Sequence, residues 1–374
     1  MIAISYVRKG LMAAQLLSHH LNMRIAQVAP LYESVPPKFY GGTERVVSYL
    51  TEELVRQGHE VTLFASGDSV TAARLISGST RSLRLDPGCR DPIAHHVRLM
   101  ELVARRADDF DIIHFHIDYL HFPVSKRIAT PSITTLHGRL NFPDLVPLYR
   151  EYRDVPVISI SDSQRAPLPW LNWQATIHHG LPEDLYRFQD STDDYLAFVG
   201  RISPEKRADR AIEIARRTGI KLRIAAKVDR TDQEYFETVI QPLLSDPIVE
   251  FVGEIGEREK SNFFGNARAL LFPIDWPEPF GLVMIEAMAC GTPVIAYRNG
   301  SVGEIIEPGV NGFIVEDMDS AVEAVGRIAS VNRRRCRQHF EQKFSVRRMA
   351  EDYVKVFQRL AGASVKNRSS ISAA

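Results

Sequence analysis

The chain has 374 residues, 45% of them hydrophobic, so it is long enough for two domains that each have a core. Basic and acidic residues both number 46, and the resulting net charge of zero gives no field that would attract nucleic acid or an anionic membrane. The three cysteines are far apart and have no paired metal-binding spacing, which favours a reducing, cytoplasmic compartment. No apolar run is long enough to span a bilayer, which leaves peripheral contact as the one kind of membrane association.

The two ends of the chain lack the pattern of a folded core. A short apolar run follows Arg8 and Lys9, but no small-residue cleavage site comes after it, so the segment does not predict export. We expect residues 1–22 to be a disordered extension or part of an over-called start. Residues 363–374 are polar and lack apolar periodicity, which predicts a disordered tail.

A β-α-β pattern opens the periodic part of the chain. A strand at 24–29 is followed by a loop that ends at Gly41 and Gly42, by an amphipathic helix at 43–56 and by another strand. Glycine lets the backbone approach a phosphate, and we predict that Thr43 caps the helix, whose dipole favours an anion. A tight turn without a ligand is the alternative.

Polar side chains also follow the next two predicted strands, at 111–118 and 133–136. Open parallel sheets bind ligands at the carboxyl ends of their strands, so Asp118 and His137 are candidate binding residues. A residue that merely caps its strand is the alternative for His137. A metal site is a weaker alternative, because the spacing fits no closed set of ligands; it would use His114, His116, Asp118 and His121.

The second half of the chain repeats the β-α plan. A polar stretch without periodicity at 186–194 reads as a linker, and a strand at 195–200 then runs into a basic loop that contains Arg201 and Lys206. Arginine binds an oxyanion bidentately and lysine acts as a compact charge, so this pair could neutralise a diphosphate. A solvated helix start is the alternative. The arginines at 333–335 predict a solvated helix face first, and a membrane or acceptor patch second.

Two glutamates bracket a later loop and helix. Glu278 lies in a proline-rich loop after a strand at 269–272, and Glu286 lies eight residues on, in an apolar helix at 280–290. The free N–H groups at the start of that helix, beside Gly281, can face an anion. An apolar helix would bury Glu286, so a ligand or a cation has to meet its charge.

This Glu-x7-Glu pair, with Pro-Phe-Gly before the helix and Gly-Thr-Pro-Val-Ile-Ala after it, resembles the donor-binding signature of glycosyltransferase family 4. The resemblance extends from about residue 23 to about residue 360. It implies an α/β protein with the GT-B fold, in which two Rossmann-like domains face each other across a cleft. The acceptor domain would be 23–186 and the nucleotide-sugar domain 187–345, with a helix at 346–362 that crosses back to the first domain.

The resemblance also implies a reaction. A hexosyl group, glucosyl or mannosyl, would pass with retention from a UDP- or GDP-linked sugar to a hydroxyl of a glycan, lipid or small molecule, without a cofactor or a metal. Glu278 would bind the sugar hydroxyls, Glu286 the ribose, and Arg201 with Lys206 the diphosphate, whose departing charge the two cations would stabilise. Further donor contacts are implied for Gly41, Gly42, Phe280, Gly281 and Leu282, a contact with the transferred sugar for His137, and acceptor contacts for Glu44 and Asp118.

Some features depart from that family or leave other functions open. His179 stands where family members usually have asparagine. The Asp-x-Asp pairs at 109–111 and 317–319 read as capping and turn residues and not as metal ligands. A nicotinamide dehydrogenase is disfavoured, because no Gly-x-Gly-x-x-Gly follows a strand. A sugar-nucleotide epimerase of the same fold and a non-catalytic nucleotide-sugar-binding subunit remain alternatives.

Overall fold

A computed structural model describes residues 22–38 and 41–372 of the chain. The prediction for 1–22 therefore lies outside the described residues except at Asn22. Within those residues the strands form two sheets in which every neighbouring pair is parallel. The strands of the first sheet are β1 (Arg24–Val28), β2 (Glu60–Ser66), β3 (Arg74–Ser79), β4 (Ile112–Phe115), β5 (Ser132–Thr135), β6 (Val157–Ser159) and β7 (Trp173–Thr176).

The second sheet belongs to the second half of the chain. Its strands are β8 (Tyr195–Ile202), β9 (Lys221–Val228), β10 (Val249–Gly253), β11 (Ala269–Phe272), β12 (Val294–Tyr297) and β13 (Gly312–Val315). Helices cover both faces of such a sheet, which is why central strands such as β11, with the sequence Ala-Leu-Leu-Phe, are apolar and buried throughout.

Helices connect the strands in both halves. In the first half they are α1 (Gly42–Arg56), α2 (Pro92–Ala104), α3 (Phe122–Ser125), α4 (Leu145–Glu151) and α5 (Asp162–Arg165). In the second half they are α6 (Ala208–Thr218), α7 (Gln233–Tyr235), α8 (Glu257–Gly265), α9 (Leu282–Ala289), α10 (Val302–Ile305), α11 (Met318–Arg327), α12 (Arg333–Lys343) and α13 (Val346–Ser372). No helix of 22–38 or 41–372 combines the length and the apolar character that crossing a bilayer requires.

The strand order places a ligand site in each half. The first sheet runs β3-β2-β1-β4-β5-β6-β7 and the second β10-β9-β8-β11-β12-β13. In each sheet the order reverses beside the first strand of that half, between β1 and β4 and between β8 and β11. Ligands of open α/β sheets bind outside the carboxyl ends of the strands at such a point. The predicted α/β fold with two Rossmann-like halves is confirmed.

Two chain segments join the halves, and they pair with each other. The backbone amide of Leu181 donates to the carbonyl of Phe344 at 2.9 Å, and the amide of Val346 donates to the carbonyl of Leu181 at 2.8 Å. Gly180 lies so close to the backbone of Ser345 that a Cβ there would overlap it. After this crossing, α13 packs on α1 and β4 of the first half.

Three details differ from the sequence predictions. Residues 233–244, for which the repeated β-α plan predicts a regular helix, are irregular: α7 is followed by a π-turn at Phe236–Ile240 and a 3-10 turn at Gln241–Ser245, where Pro242 cannot donate an intrahelical bond. The polar end of the chain continues α13 to Ser372 instead of leaving the helix near 362. Arg333 is not solvated, because its guanidinium donates to the carbonyls of Gln189, Gly265 and Ala267.

Candidate functional site

The carboxyl ends of the two sheets open into one cleft of about 1120 Å³, which residues of both halves line. Every candidate residue from the sequence lies on this cleft. These residues are Gly41, Gly42, Glu44, Asp118, His137, Arg201, Lys206, Glu278, Phe280, Gly281, Leu282 and Glu286. The sequence pattern therefore identified residues that are distant in the chain and close in space.

The N-terminus of α1 lies on the wall of this cleft. The helix begins at Gly42, one residue earlier than predicted, because the Arg45 amide already donates to the carbonyl of Gly41 at 3.1 Å. Thr43 therefore lies inside the helix, and the prediction that it is the cap was wrong. Gly41 is the capping residue and has no side chain to satisfy the first amides. These N–H groups and the helix dipole make this end suited to an anion.

The loop that carries Glu278 is held in place by the segment after β12. The amide of Ser301 donates to the carbonyl of Glu278 at 3.0 Å, and its hydroxyl donates to the carbonyl of Phe280 at 2.7 Å. Gly300 has φ +57° and lies against Glu278, so a Cβ at residue 300 would overlap the backbone of the glutamate. Only glycine fits there, and the position of the Glu278 carboxylate depends on it.

Lys206 forms an ion pair with Glu278 and so joins the basic loop to the glutamate loop. The Lys206 ammonium also lies 4.9 Å from the ring centre of Trp276, on the same loop as Glu278. The amide of Asp275 donates to the carbonyl of Glu205 at 2.8 Å, which ties the two loops together a second time. The cation and the carboxylate predicted to hold the donor are therefore positioned as one unit.

Arg201 lies at the end of β8 among three carboxylates. Its guanidinium is 2.7 Å from Glu205, 3.5 Å from Asp232 and 3.8 Å from Asp229. The arginine is about one-third exposed, so it remains open to the cleft. A phosphate that binds here competes with carboxylates whose charges already balance the cation.

Glu286 is almost fully buried on α9, and its charge is met by a lysine that the sequence analysis did not single out. The ammonium of Lys260, on α8, lies 2.9 Å from each carboxylate oxygen of Glu286. This leaves lone pairs of the carboxylate free to accept from a ligand. A signal was present in the sequence: Lys260 precedes Phe263 and Phe264 by three and four residues, and therefore lies on the buried face of its helix.

Uncharged histidines line the other wall of the cleft. The Nε2 atom of His116 is 2.8 Å from the side-chain oxygen of Gln27, and its Nδ1 atom is 2.9 Å from Nε2 of His137. The ring of His137 stacks on the ring of His179 at 5.4 Å, and His179 in turn contacts Phe280 at 4.8 Å. The histidine that replaces the usual asparagine thus joins the two walls.

Burial keeps these imidazoles neutral. It lowers the pKa of His137 and of His121 to about 3, and it lowers the pKa of His114, His116 and His179 well below the ordinary value. His114 pairs with Thr135 and His121 with Thr134, each at 2.7 Å. The alternative of a metal site at these histidines gains no support, because no group of three metal-ligating side chains is found among 22–38 and 41–372.

The two acceptor-side candidates differ in environment. Asp118 lies in the left-handed region, with φ 49°, just beyond β4, and its side chain is open to the cleft. The surrounding cleft walls raise its pKa, although a hydrogen bond from the backbone of His137 opposes the rise. Glu44 is buried in the first turn of α1, and burial raises its pKa despite hydrogen bonds from the backbone of Glu44 and Glu33.

Two family models match the chain. Glycosyl transferases group 1 matches residues 187–343, and Glycosyltransferase Family 4 matches residues 40–173. The two matched segments do not overlap, and they correspond to the halves that carry the second and the first sheet.

Known proteins resemble the chain over nearly its full length. A phosphatidyl-myo-inositol mannosyltransferase from Mycolicibacterium smegmatis is 25% identical over 92% of this chain and 96% of its own. The crystal structure of AviGT4, a glycosyltransferase of avilamycin A biosynthesis, is 27% identical, with a TM-score of 0.71 over 91% of this chain and 98% of its own. Anabaena HepE, in complex with UDP and glucose, shares the fold at 16% identity, with a TM-score of 0.70 over 90% of this chain and all of its own. The chain belongs to the glycosyltransferases that the two family models describe, and it is an enzyme with the GT-B fold.

Proposed function

We propose that the enzyme moves a hexosyl group from a nucleoside-diphosphate sugar to a hydroxyl group, with retention at the transferred carbon. One observation carries the proposal: Arg201, Lys206, Glu278 and Glu286 line the same cleft as the N-terminus of α1. Cations and free helix amides suit a diphosphate, and carboxylates suit the hydroxyls of the sugar and the ribose.

The proposed donor site divides into three parts. Glu286, held by Lys260, accepts from the ribose diol, and Arg201 with Lys206 lies at the diphosphate. Glu278 accepts from the hydroxyls of the sugar, and backbone groups of Phe280, Gly281 and Leu282 complete the contact. HepE binds UDP and glucose with the same fold, which supports a nucleotide-sugar donor here, with UDP or GDP as the nucleotide.

The proposed chemistry needs charge stabilisation more than a protein base. The bond from the anomeric carbon of the sugar to the β-phosphate oxygen breaks, a bond from that carbon to the acceptor oxygen forms, and the acceptor proton passes to an oxygen of the departing nucleoside diphosphate. Lys206 and Arg201 stabilise the negative charge that develops on the departing phosphate. The neutral ring of His137 offers the sugar a polar edge without adding a further positive charge.

We propose that the acceptor carries no phosphate group where it meets the first half of the chain. Arg84 and Lys38 of the first half pair with Glu33 at 2.9 Å and with Asp68 at 3.8 Å. The residue that we assign to the acceptor is instead a carboxylate, Asp118, whose negative charge would repel a phosphate. No ion pair is found for Asp118 among the described residues, and its carboxylate is available to a hydroxyl donor. This would distinguish the enzyme from the relative that is named for phosphatidyl-myo-inositol.

The experiment is a donor screen followed by product analysis. Purified enzyme is incubated with UDP-glucose, GDP-mannose and related donors, and nucleotide release is measured with and without candidate acceptors. We expect release that depends on the acceptor, and a product whose anomeric proton coupling matches that of the donor. Isomerised donor without acceptor would identify an epimerase, and binding without turnover would identify a non-catalytic subunit.

The acceptor proposal has its own measurement. Once a hydroxyl compound is found to react, its phosphate ester is compared with it at equal concentration. We expect the ester to react at least about tenfold more slowly, because its phosphate would meet the like charge of the Asp118 carboxylate. An ester that reacts faster would show that Arg84 or Lys38 binds acceptor phosphate.

A further inference from the structure

One turn of α8 connects the two halves of the molecule to the proposed ribose site. Glu257 and Lys260 are three residues apart and therefore neighbours on the helix surface. The Lys260 ammonium holds Glu286, as described above. Glu257, in contrast, lies 2.6 Å from the guanidinium of Arg45, which belongs to the first half. The same oxygen of Glu257 accepts from the hydroxyl of Tyr49.

Arg45 and Tyr49 lie on α1, the helix whose N-terminus lines the cleft. Arg45 is 9% exposed, so its ion pair with Glu257 is largely shielded from water. Burial and the charge of Glu257 raise the pKa of Tyr49, which keeps the phenol protonated as a donor. Because α1 is one continuous helix of 15 residues, its docking on α8 sets the distance between the anion-binding N-terminus of α1 and the Glu286 carboxylate.

We infer that Arg45, Tyr49 and Glu257 form a clasp between the halves that raises affinity for the nucleotide without contacting it. The inference rests on the proposed function, in which Glu286 binds ribose and the N-terminus of α1 faces the diphosphate. A nucleotide that contacts both halves binds the closed arrangement more tightly, and the clasp stabilises that arrangement. Arg45, Tyr49 and Glu257 are then positioning residues.

A direct contact between Arg45 and the diphosphate is the competing explanation, because Arg45 also lines the cleft. The two explanations predict opposite effects of Glu257→Gln. If Arg45 binds the phosphate itself, loss of the Glu257 charge makes the guanidinium more available, and nucleotide affinity stays the same or rises. If the clasp acts, the same substitution weakens nucleotide binding.

The test measures binding of UDP and GDP by calorimetry to wild type, Arg45→Met, Glu257→Gln and the double variant. We expect each single variant to bind about tenfold more weakly, within the usual range of coupling between sites. The double variant should be no weaker than either single one, because both remove the same contact. Equal affinity in all four proteins, tighter binding by Glu257→Gln, or additive losses would each overturn the clasp.

Two further measurements separate the clasp from a folding defect and from failure of the proposed function. Arg217→Met and Glu213→Gln remove an exposed ion pair inside one helix, and Arg217→Met also removes an exposed pair with Asp319. Both lie outside the cleft and serve as controls, which should bind like wild type. Tyr49→Phe removes only a hydroxyl and should give a smaller loss of affinity with unchanged thermal unfolding. At saturating donor, kcat of the clasp variants should return to near wild type, while KM remains raised.

Small-angle scattering tests the clasp without any nucleotide. The clasp variants should have a larger radius of gyration than wild type and the controls. If both clasp variants scatter like wild type, the inference is overturned, whether or not wild type binds UDP or GDP. Failure of wild type to bind either nucleotide would by itself contradict the proposed function.

Discussion

The two walls of the cleft achieve electrostatic balance in opposite ways. The wall from the second half carries paired charges, with Lys206 against Glu278 and Lys260 against Glu286. The wall from the first half carries neutral rings, with His137 and His116 in a hydrogen-bonded chain that ends at Gln27. Both arrangements leave polar groups available to a ligand, and neither has to bury an unbalanced charge.

The difference follows from what each wall is proposed to bind. A diphosphate brings two or more negative charges. The cations that bind it need their own charge balanced in the folded protein before the ligand arrives. Ion pairs with carboxylates provide that balance. The sugar and the acceptor hydroxyl bring no charge, so imidazoles that stay neutral suit them better. Two kinds of change test this contrast. Acid protonates the histidines of the first wall, and substitutions displace the carboxylates of the second.

The largest effect is expected from acid on the first half. Its buried histidines have folded pKa values below the unfolded value of about 6.5, so the unfolded chain takes up protons first and the free energy of unfolding falls as pH drops below 6.5. Each histidine that stays neutral in the folded protein lowers the free energy of unfolding by about 2 kcal/mol at pH 5 relative to neutral pH. Urea unfolding at pH 7.5 and 5 measures the change.

His121→Phe sharpens this prediction. The ring of His121 stacks on Phe115 at 3.8 Å, which phenylalanine preserves, and the residue lies outside the proposed site. The number of protons taken up on unfolding in acid, which sets the slope of the free energy of unfolding against pH, should then be about one smaller than in wild type. Hydrogen exchange should show acid opening of the first sheet before the second, and equal opening of both sheets would contradict the contrast.

Displacement of the Glu278 carboxylate should have the second-largest effect. Gly300→Ala forces the loop away from residue 300, and we expect turnover to fall by about a hundredfold, since small misplacements at a reacting centre cost that much. Gly303→Ala is the matched control, because nothing lies within 4 Å of a Cβ at that position. Similar kinetics in the two variants would show that the loop adapts.

Substitution of the two glutamates should affect different kinetic constants. Glu278→Gln weakens a contact that we place at the sugar during transfer, so kcat should fall more than donor affinity does. Glu286→Gln weakens a ribose contact present before and during transfer, so the donor KM should rise about tenfold for a loss of about 1.5–3 kcal/mol. Calorimetry with free nucleoside diphosphate should show weaker binding only for Glu286→Gln, and the reverse pattern would exchange the two roles.

A smaller effect is expected where the halves meet at Glu304. This carboxylate accepts from the amides of Asp162 and Ser163, at the start of α5, and from His178 at 3.0 Å. Burial alone would raise its pKa, but these hydrogen bonds outweigh burial and hold the pKa below the ordinary 4.5. Its stabilisation is therefore present at neutral pH and lost as pH falls through the folded pKa.

Glu304→Gln should lower the free energy of unfolding by about 1 kcal/mol at pH 7. The difference from wild type should begin to shrink as pH falls below 4.5, the ordinary value of this carboxyl, and should disappear once pH lies below the folded pKa. Glu323→Gln, at an exposed ion pair of α11, is the control and should change little at either pH. A difference that persists in acid would mean that charge is not the cause.

Chelation should have the smallest effect. Arg201 and Lys206 are proposed to take the place of a divalent cation at the diphosphate, so activity should survive EDTA. Loss of activity that magnesium or manganese restores would contradict this prediction.

The sequence predicted the parallel sheets because buried strands such as β11 are apolar throughout and alternate with helix patterns. It also predicted that Glu286 needs a partner, but not that Lys260 is that partner, because the two are joined only when α8 and α9 pack side by side. The importance of Gly300 is likewise invisible in a single chain, since it depends on how closely the backbone of Glu278 approaches. Local rules likewise misplaced the helix start at Thr43.

The return of α13 to the first half also affects synthesis of the protein. The hydroxyl of Tyr353 bonds Thr135 at 2.9 Å, and the rings of Tyr353 and Phe357 cover His114 at 4.9 and 5.3 Å. The first half therefore completes its own core with residues that leave the ribosome after nearly everything else. A nascent chain must keep the face of β4 shielded throughout translation of the second half. A protein truncated before α13 would present that face as an adhesive apolar surface to chaperones and proteases.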